Sequence, residues 1–216
     1  MTRIILVRHG QSEANLNSIC SGQIDFPLTE TGHLQAEMVA KYLLSTERID
    51  RVYSSDLRRA IDTVAPVARA LGLTVITDKR LREIDTGRFS GISFEERNKK
   101  YPEAYETLLN DFSHMRYPDG EYVPEVYDRV VECVLEIAAE CDGETVLIAS
   151  HNGALRVFDA FAHGYSREEV GMVKGFKNAA ISVYELDGVS VKIIKHNVTE
   201  HILTETDDNI PDTDKQ

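Results

Sequence analysis

The chain is poor in positive charge. Its 216 residues hold 24 lysines and arginines against 36 aspartates and glutamates, a formal net charge of −12. That balance argues against a general nucleic-acid binder, which wants a basic face. It also repels anions at long range, so a site for an anion must be built from locally concentrated arginines. Cysteine is scarce too. Cys20, Cys133 and Cys141 are odd in number and form no C-x-x-C pair, the usage of reduced, buried thiols in a cytosolic protein. No H-E-x-x-H or comparable cluster appears, which argues against a metal-dependent hydrolase. No apolar run approaches the ~18 residues of a membrane helix, and Ile4 to Val7 is too short a stretch for a signal peptide. A soluble, cytoplasmic protein with neither nucleic-acid nor membrane partners is expected. There is no internal repeat and no flexible linker, so one catalytic domain is expected over residues 1–203. Residues 204–216, "TETDDNIPDTDKQ", set five acids against one lysine and read as a disordered acidic tail.

What the chain does have is alternation. "IILV" suits a strand covered on both faces. "LTETGHLQAEMVAKYLLS" carries Leu34, Met38 and Leu43 at helical spacing, with Thr29 as its N-cap. "IDRVYSS" is a short strand. "DLRRAIDTVAPVARALG" reads as a helix opening at Asp56 and stopping at Gly72, kinked at Pro66. "LTVITD" is another strand. Residues 82–122 are less regular, with two short helices parted near Pro102. "PEVYDRVVECVLEIAAECDG" is a long helix with Val126, Val130, Val134 and Ile137 on one face. "ETVLIAS" is a second buried strand, "HNGALRVFDAFAHG" a helix, and the last two runs form a hairpin about Asp187 and Gly188. Strands alternating with helices predict an α/β fold, a three-layer αβα sandwich around a mainly parallel sheet.

The polar residues fall where such a sheet binds ligands. Arg8 and His9 follow the first strand, Ser150 and His151 follow "VLIAS", and Arg58 and Arg59 follow "RVYSS". Ligands of open parallel sheets sit beyond the carboxyl ends of the strands. A lone histidine there is usually structural; two, accompanied by arginines, describe a site for a small, highly charged anion. Phosphate is the natural candidate.

"LVRHGQSEAN" resembles the RHG signature of the histidine phosphatase superfamily, which includes the cofactor-dependent phosphoglycerate mutases. Further motifs occur in family order. "SGQIDFPLTETG" is similar to the segment G-x-x-D-x-x-L-T-x-x-G through Gly22, Asp25, Leu28, Thr29 and Gly32. "YSSDLRRAIDT" places the second phosphate-binding arginine at Arg59. "LREIDTGRFSGIS" places the acid at Glu83, and "VLIASHNGALR" the second histidine at His151. The resemblance implies a phosphoglycerate mutase-like fold and a histidine acid phosphatase-type phosphomonoester hydrolase. His9 would attack phosphorus and become phosphohistidine, and water would regenerate it. Neighbouring arginines would disfavour the imidazolium and keep His9 available. Arg8, Arg59 and His151 would clamp the phosphoryl oxygens, Asn15 would add an amide donor, and Glu83 would protonate the leaving alkoxide. Gly10 would let the backbone pass close to the phosphate. Ser12, Gly22 and Asn152 would complete the substrate-binding set, with no metal and no cofactor.

Each of these has a plainer reading. Glu83 could pair with Arg80 or Arg82, Asn15 could satisfy a turn, and Ser12 and Ser150 could only support loops. Arg58 reads as helix surface. Glu121 fits a family segment or a solvated turn. Tyr101, Tyr105, Phe112 and Tyr117 could line the substrate side or form the core of the short helices. His33, His114, His163 and His196 have no supporting pattern; His201 lies in a late segment similar to one near the family's pocket. Asn152 stands where many relatives have glycine, and asparagine tolerates left-handed geometry. The short span from Glu83 to His151 favours a phosphatase over a mutase, and a retained Glu83 argues against a non-catalytic phosphate-binding module. The expected partner is a small phosphorylated metabolite; a homodimer is left open.

Overall fold

Ile4, Ile5, Leu6 and Val7 are all buried because their strand lies inside the sheet, bonded on both sides. The computed structural model describes residues 1–202; the proposed tail lies outside the described residues. In chain order the elements are β1 (Thr2–Arg8), α1 (Glu13–Leu16), α2 (Glu30–Thr46), β2 (Arg51–Ser54), α3 (Arg58–Leu71), β3 (Val75–Thr77), α4 (Phe94–Lys100), α5 (Pro102–Asn110), α6 (Val123–Glu140), β4 (Thr145–Ser150), α7 (Asn152–Ala162), β5 (Ile181–Asp187) and β6 (Ser190–Val198). The sheet order is β3-β2-β4-β1-β5-β6. β1 pairs with β4, β4 with β2 and β2 with β3 in parallel, and β5 alone runs the other way, antiparallel to both β1 and β6.

Because side chains alternate along a strand, β1 feeds two cores. Ile4 and Leu6 pack with Val126, Val130, Val134 and Ile137 of α6 and with Val157 and Phe158 of α7. Ile5 and Val7 pack with Val39 and Leu43 of α2 and Val64 and Val67 of α3. This is the three-layer arrangement expected from the alternation. The helices that follow β1 and β2 cover one face and the helix that follows β4 covers the other, so the connections diverge at the carboxyl ends of β1 and β4, the place where open parallel sheets bind ligands.

Several local expectations are corrected. The buried stripe of α2 is Gly32, Gln35, Ala36, Val39, Ala40 and Leu43, whereas Leu34 is 55% exposed; small residues let α2 lie close to its neighbours, and that turns Leu34 outward. α3 opens at Arg58, not Asp56, and no side chain of its own caps it. Asp25, from a distant loop, accepts the Arg58 N–H at 2.7 Å instead. α3 continues through Pro66 and ends at Gly72, whose φ of 66° is left-handed, a conformation that favours glycine. The hairpin loop is Gly188–Val189, since Asp187 pairs with Ser190. No helix among the described residues is long and apolar enough to cross a membrane.

Candidate active site

The first buried strand delivers His9 directly. Its N–H bonds the Ser150 carbonyl at 3.0 Å, which places the residues following β1 and β4 side by side, and the His9 and His151 rings stand 5.1 Å apart. His9 Nδ1 lies 2.7 Å from the Gly10 carbonyl. A carbonyl only accepts, so Nδ1 carries the ring proton and Nε2 keeps its lone pair. Burial, Arg59 and Arg8 hold the His9 imidazole well below the ordinary histidine range. It is a neutral base at physiological pH, as the neighbouring arginines led one to expect.

Arg59 is fully buried. Its Nη1 donates to the Ile24 carbonyl at 2.8 Å, Nη2 to the Gly22 carbonyl at 2.9 Å and Nε to His151 Nδ1 at 3.2 Å. Gly22 thus serves the site by seating Arg59. With a φ of 47° and the Ser90 and Thr86 hydroxyls 2.5 Å from where a Cβ would stand, it admits no side chain. Burial pulls the Arg59 pKa down while Glu83 and Asp25 push it back up, and the guanidinium stays charged.

His151 differs from the expectation. Because Nδ1 accepts from Arg59, Nε2 carries the proton and lies 2.8 Å from the Ser55 hydroxyl. Both ring nitrogens are engaged by protein, so His151 orients Arg59 and offers no N–H to a phosphate oxygen in this arrangement. Burial, Arg59 and His9 hold it neutral.

Glu83 does not pair with Arg80 or Arg82. Arg80 is bound by Asp78 and Glu136, and Arg82 by Asp56. The Glu83 carboxylate instead accepts the N–H of Ile84 at 2.9 Å and of Gly153 at 3.0 Å, at the positive end of α7. The loop carrying it is braced from below. Arg129 donates to the carbonyls of Arg80, Arg82 and Glu83 and to the carboxylate of Glu121. Glu121 also accepts the Asp85 N–H at 2.7 Å, so the half-buried side chain is part of the brace and not a free turn residue.

Ser12 and Asn15 cap α1 reciprocally. Ser12 Oγ accepts the Asn15 N–H, and Asn15 Oδ1 accepts the Ser12 N–H at 3.0 Å and hydroxyl at 2.9 Å. Ser12 therefore supports the loop, whereas Asn15 Nδ2 is left without a partner among the described residues. Ser150 Oγ ties to the Leu81 carbonyl. A Cβ on Gly10 would stand 2.7 Å from the Gly32 carbonyl, so its lack of a side chain lets the His9 loop lie against α2. Asn152 is the first residue of α7, helical and not left-handed; its Oδ1 accepts the Phe176 N–H at 2.6 Å. Arg8 Nη1 donates to the Phe176 carbonyl. Phe112 and Tyr117 belong to the core, and Tyr117 is raised by burial and by Glu83. His201 stacks on Tyr42, among the residues on the α2 side.

Residues that the pattern did not single out complete the site. Ser55 holds His151, Thr63 Oγ1 accepts the Gly10 N–H at 3.0 Å, and Asn178 reaches His9 and Asn15. Ser55 follows β2 in the way His151 follows β4, a signal that was present in "RVYSS". Thr63 and Asn178 carried none. Among the described residues no group of His, Cys, Asp and Glu is arranged to hold a metal ion.

This arrangement sets Arg8 and Arg59 near a neutral histidine base and holds the Glu83 carboxylate on the N–H two residues past His151; cations, a base and a carboxylate are the parts that phosphoryl transfer uses. A family model described as histidine phosphatase superfamily (branch 1) matches residues 4–199. Phosphoserine phosphatase 1 of Hydrogenobacter thermophilus is 34% identical over 94% of this chain and 95% of its own. The metal-independent phosphoserine phosphatase of Arabidopsis thaliana is 36% identical over 72% of this chain and 66% of its own. Among solved structures, mycobacterial glucosyl-3-phosphoglycerate phosphatase with VO3 matches with a TM-score of 0.84 at 27% identity, over 91% of this chain and 99% of that one. The chain belongs to the histidine phosphatase superfamily and is a small-molecule phosphatase of that family.

Proposed function

We propose that the chain hydrolyses a small phosphomonoester through a phosphohistidine on His9, without a metal. The observation that carries this is the tautomer of His9: with Nδ1–H spent on the Gly10 carbonyl, the Nε2 lone pair is free to attack. In the first step Nε2 forms a bond to phosphorus as the ester P–O bond breaks, and Glu83 gives its proton to the departing oxygen. In the second, water attacks phosphorus and passes a proton to Glu83, and the N–P bonding pair returns to Nε2. Arg8 and Arg59 supply the positive charge and Asn15 Nδ2 an amide donor for the equatorial oxygens; His151 keeps Arg59 in place. The catalytic unit is residues 1–203, acting in the cytoplasm. Phosphoserine heads the candidate substrates, on the strength of the relatives' activity.

The test is phosphate release in EDTA from phosphoserine, phosphoglycerates, sugar phosphates and p-nitrophenyl phosphate, comparing the native chain with His9→Ala. Release should survive EDTA, fall by roughly a thousandfold or more in the variant, and pass through an acid-labile phosphoenzyme. Full turnover by His9→Ala, or activity lost in EDTA and restored by a divalent ion, would overturn it.

A further inference from the structure

Between α7 and β5 the chain runs against the loop that carries His9, and Asn178 is the residue whose side chain meets it. The side chain is fully buried. Its Nδ2 donates to the His9 carbonyl at 3.0 Å and to Asn15 Oδ1 at 3.1 Å. Both are acceptors only, so the amide can lie only one way round. Asn15 Oδ1 also takes the N–H and the hydroxyl of Ser12. Three donors converging on that one oxygen turn Asn15 Nδ2 away from all of them. The neighbouring residues hold the same parts: Ala179 N–H reaches the His9 carbonyl at 3.2 Å, the Phe176 carbonyl accepts from Arg8, and the Phe176 N–H binds Asn152. Ala179 pays for this fit with a φ of 56°, a left-handed conformation that residues other than glycine rarely keep and that tends to mark functional segments.

We propose that Asn178 is a positioning residue of the phosphoryl-transfer site, acting through Asn15. With one amide it pins the nucleophile's carbonyl and the oxygen end of Asn15, and so presents Asn15 Nδ2 to the phosphoryl group. This rests on the phosphatase reading above in that Asn15 is taken to meet phosphate.

The experiment is a double-mutant cycle of Asn178→Ala and Asn15→Ala. It is read by kcat and KM for phosphoserine and p-nitrophenyl phosphate, by orthovanadate inhibition, by calorimetric binding of inorganic phosphate, and by thermal midpoint. Asn178→Ala should lower kcat by about ten- to a hundredfold, the scale of losing a residue that orients a ligating group, and weaken vanadate and phosphate by a similar factor. In the Asn15→Ala background the same change should cost less than about threefold, because the amide it orients is gone. Asn178→Asp, which sets an oxygen against two acceptors, should be worse than Asn178→Ala. Native kcat and vanadate inhibition in Asn178→Ala would overturn the proposal, as would equal losses in both backgrounds. A merely structural residue would lower the thermal midpoint and leave the folded fraction with native constants. Should Asn178→Ala not fold, Asn178→Ser is judged by the same criteria. A native chain that released no phosphate would count against the phosphatase reading alone, since the cycle in phosphate binding still decides the role of Asn178.

Discussion

The Gly153 N–H donates to Glu83 Oε1 at 3.0 Å, and a Cβ on Gly153 would stand 2.6 Å from that oxygen and as near to Ile84, so any larger residue pushes these side chains aside. Glu83 and the start of α7 are therefore built against each other, and the position of one depends on the size of the other.

Gly153→Ala should displace Glu83 while leaving His9 and the arginines in place. A serine or sugar alkoxide needs a proton to leave and p-nitrophenolate does not. Turnover of alkyl phosphates should fall by roughly 10²–10⁴, and that of p-nitrophenyl phosphate by less than about tenfold. Equal losses on both substrates would show that Glu83 is not the proton donor.

The protonation of His9 sets the acid side of the pH profile. Its folded pKa lies well below 6.5, so the unprotonated nucleophile persists as pH falls through that value. After allowance for the substrate's own second ionisation near ~6, kcat/KM should show no fall attributable to His9 at or above pH 6.5. A limb with its midpoint there would mean a solvated imidazole.

The same depression makes a stability statement. His9 and His151 are both lowered by burial first, then by their charged neighbours. Below about 6.5 the unfolded chain binds protons that the folded chain refuses, so stability is intact above that pH and lost as pH falls toward the folded values. Each imidazole contributes up to about 1.4 kcal/mol per pH unit in that window. Urea unfolding from pH 7.5 to 5 should show the decline, and His151→Gln should flatten it.

Ala179→Gly relieves a left-handed backbone. The strain on a β-carbon there is of order 1 kcal/mol, partly offset by the extra freedom glycine gains when unfolded. The variant should match the native chain or exceed it by up to about 1 kcal/mol in urea. A loss of more than that would mean that the Ala179 methyl packs against the site.

Tyr184 donates to Asp159 Oδ1 at 2.8 Å inside the core, and His196 meets the other oxygen at 2.9 Å. Tyr184→Phe removes a hydrogen bond to a buried carboxylate and should cost about 1.5–3 kcal/mol, with little effect on turnover, because the Tyr184 hydroxyl bonds to Asp159 and not to Arg8, His9, Arg59 or Glu83.

Strand identity and the end of the sheet that carries the site were legible in the chain, because burial on both faces of β1 and β4 demands uninterrupted apolar runs, and Arg8, His9, Ser150 and His151 directly follow them. Val126, Val130, Val134 and Ile137 were legible as one face of α6 because helical geometry is local. Leu34 was not: which stripe of α2 is buried depends on how closely α3 and the sheet approach it. The position of Glu83 in its motif marked it as a candidate, but not whether it would meet Arg80, Arg82 or the start of α7. Those alternatives differ only in how a loop is held, and Arg129, forty-six residues away, holds it. The sequence by itself determined the layers and the presence of a concentrated anion site, since periodicity and local charge suffice for both. Only the tertiary structure decided that His151 turns to Ser55 and Arg59, that Asn152 anchors Phe176, and that Asn178 reaches the nucleophile loop, because a hydrogen bond between distant segments has no signature in either segment alone.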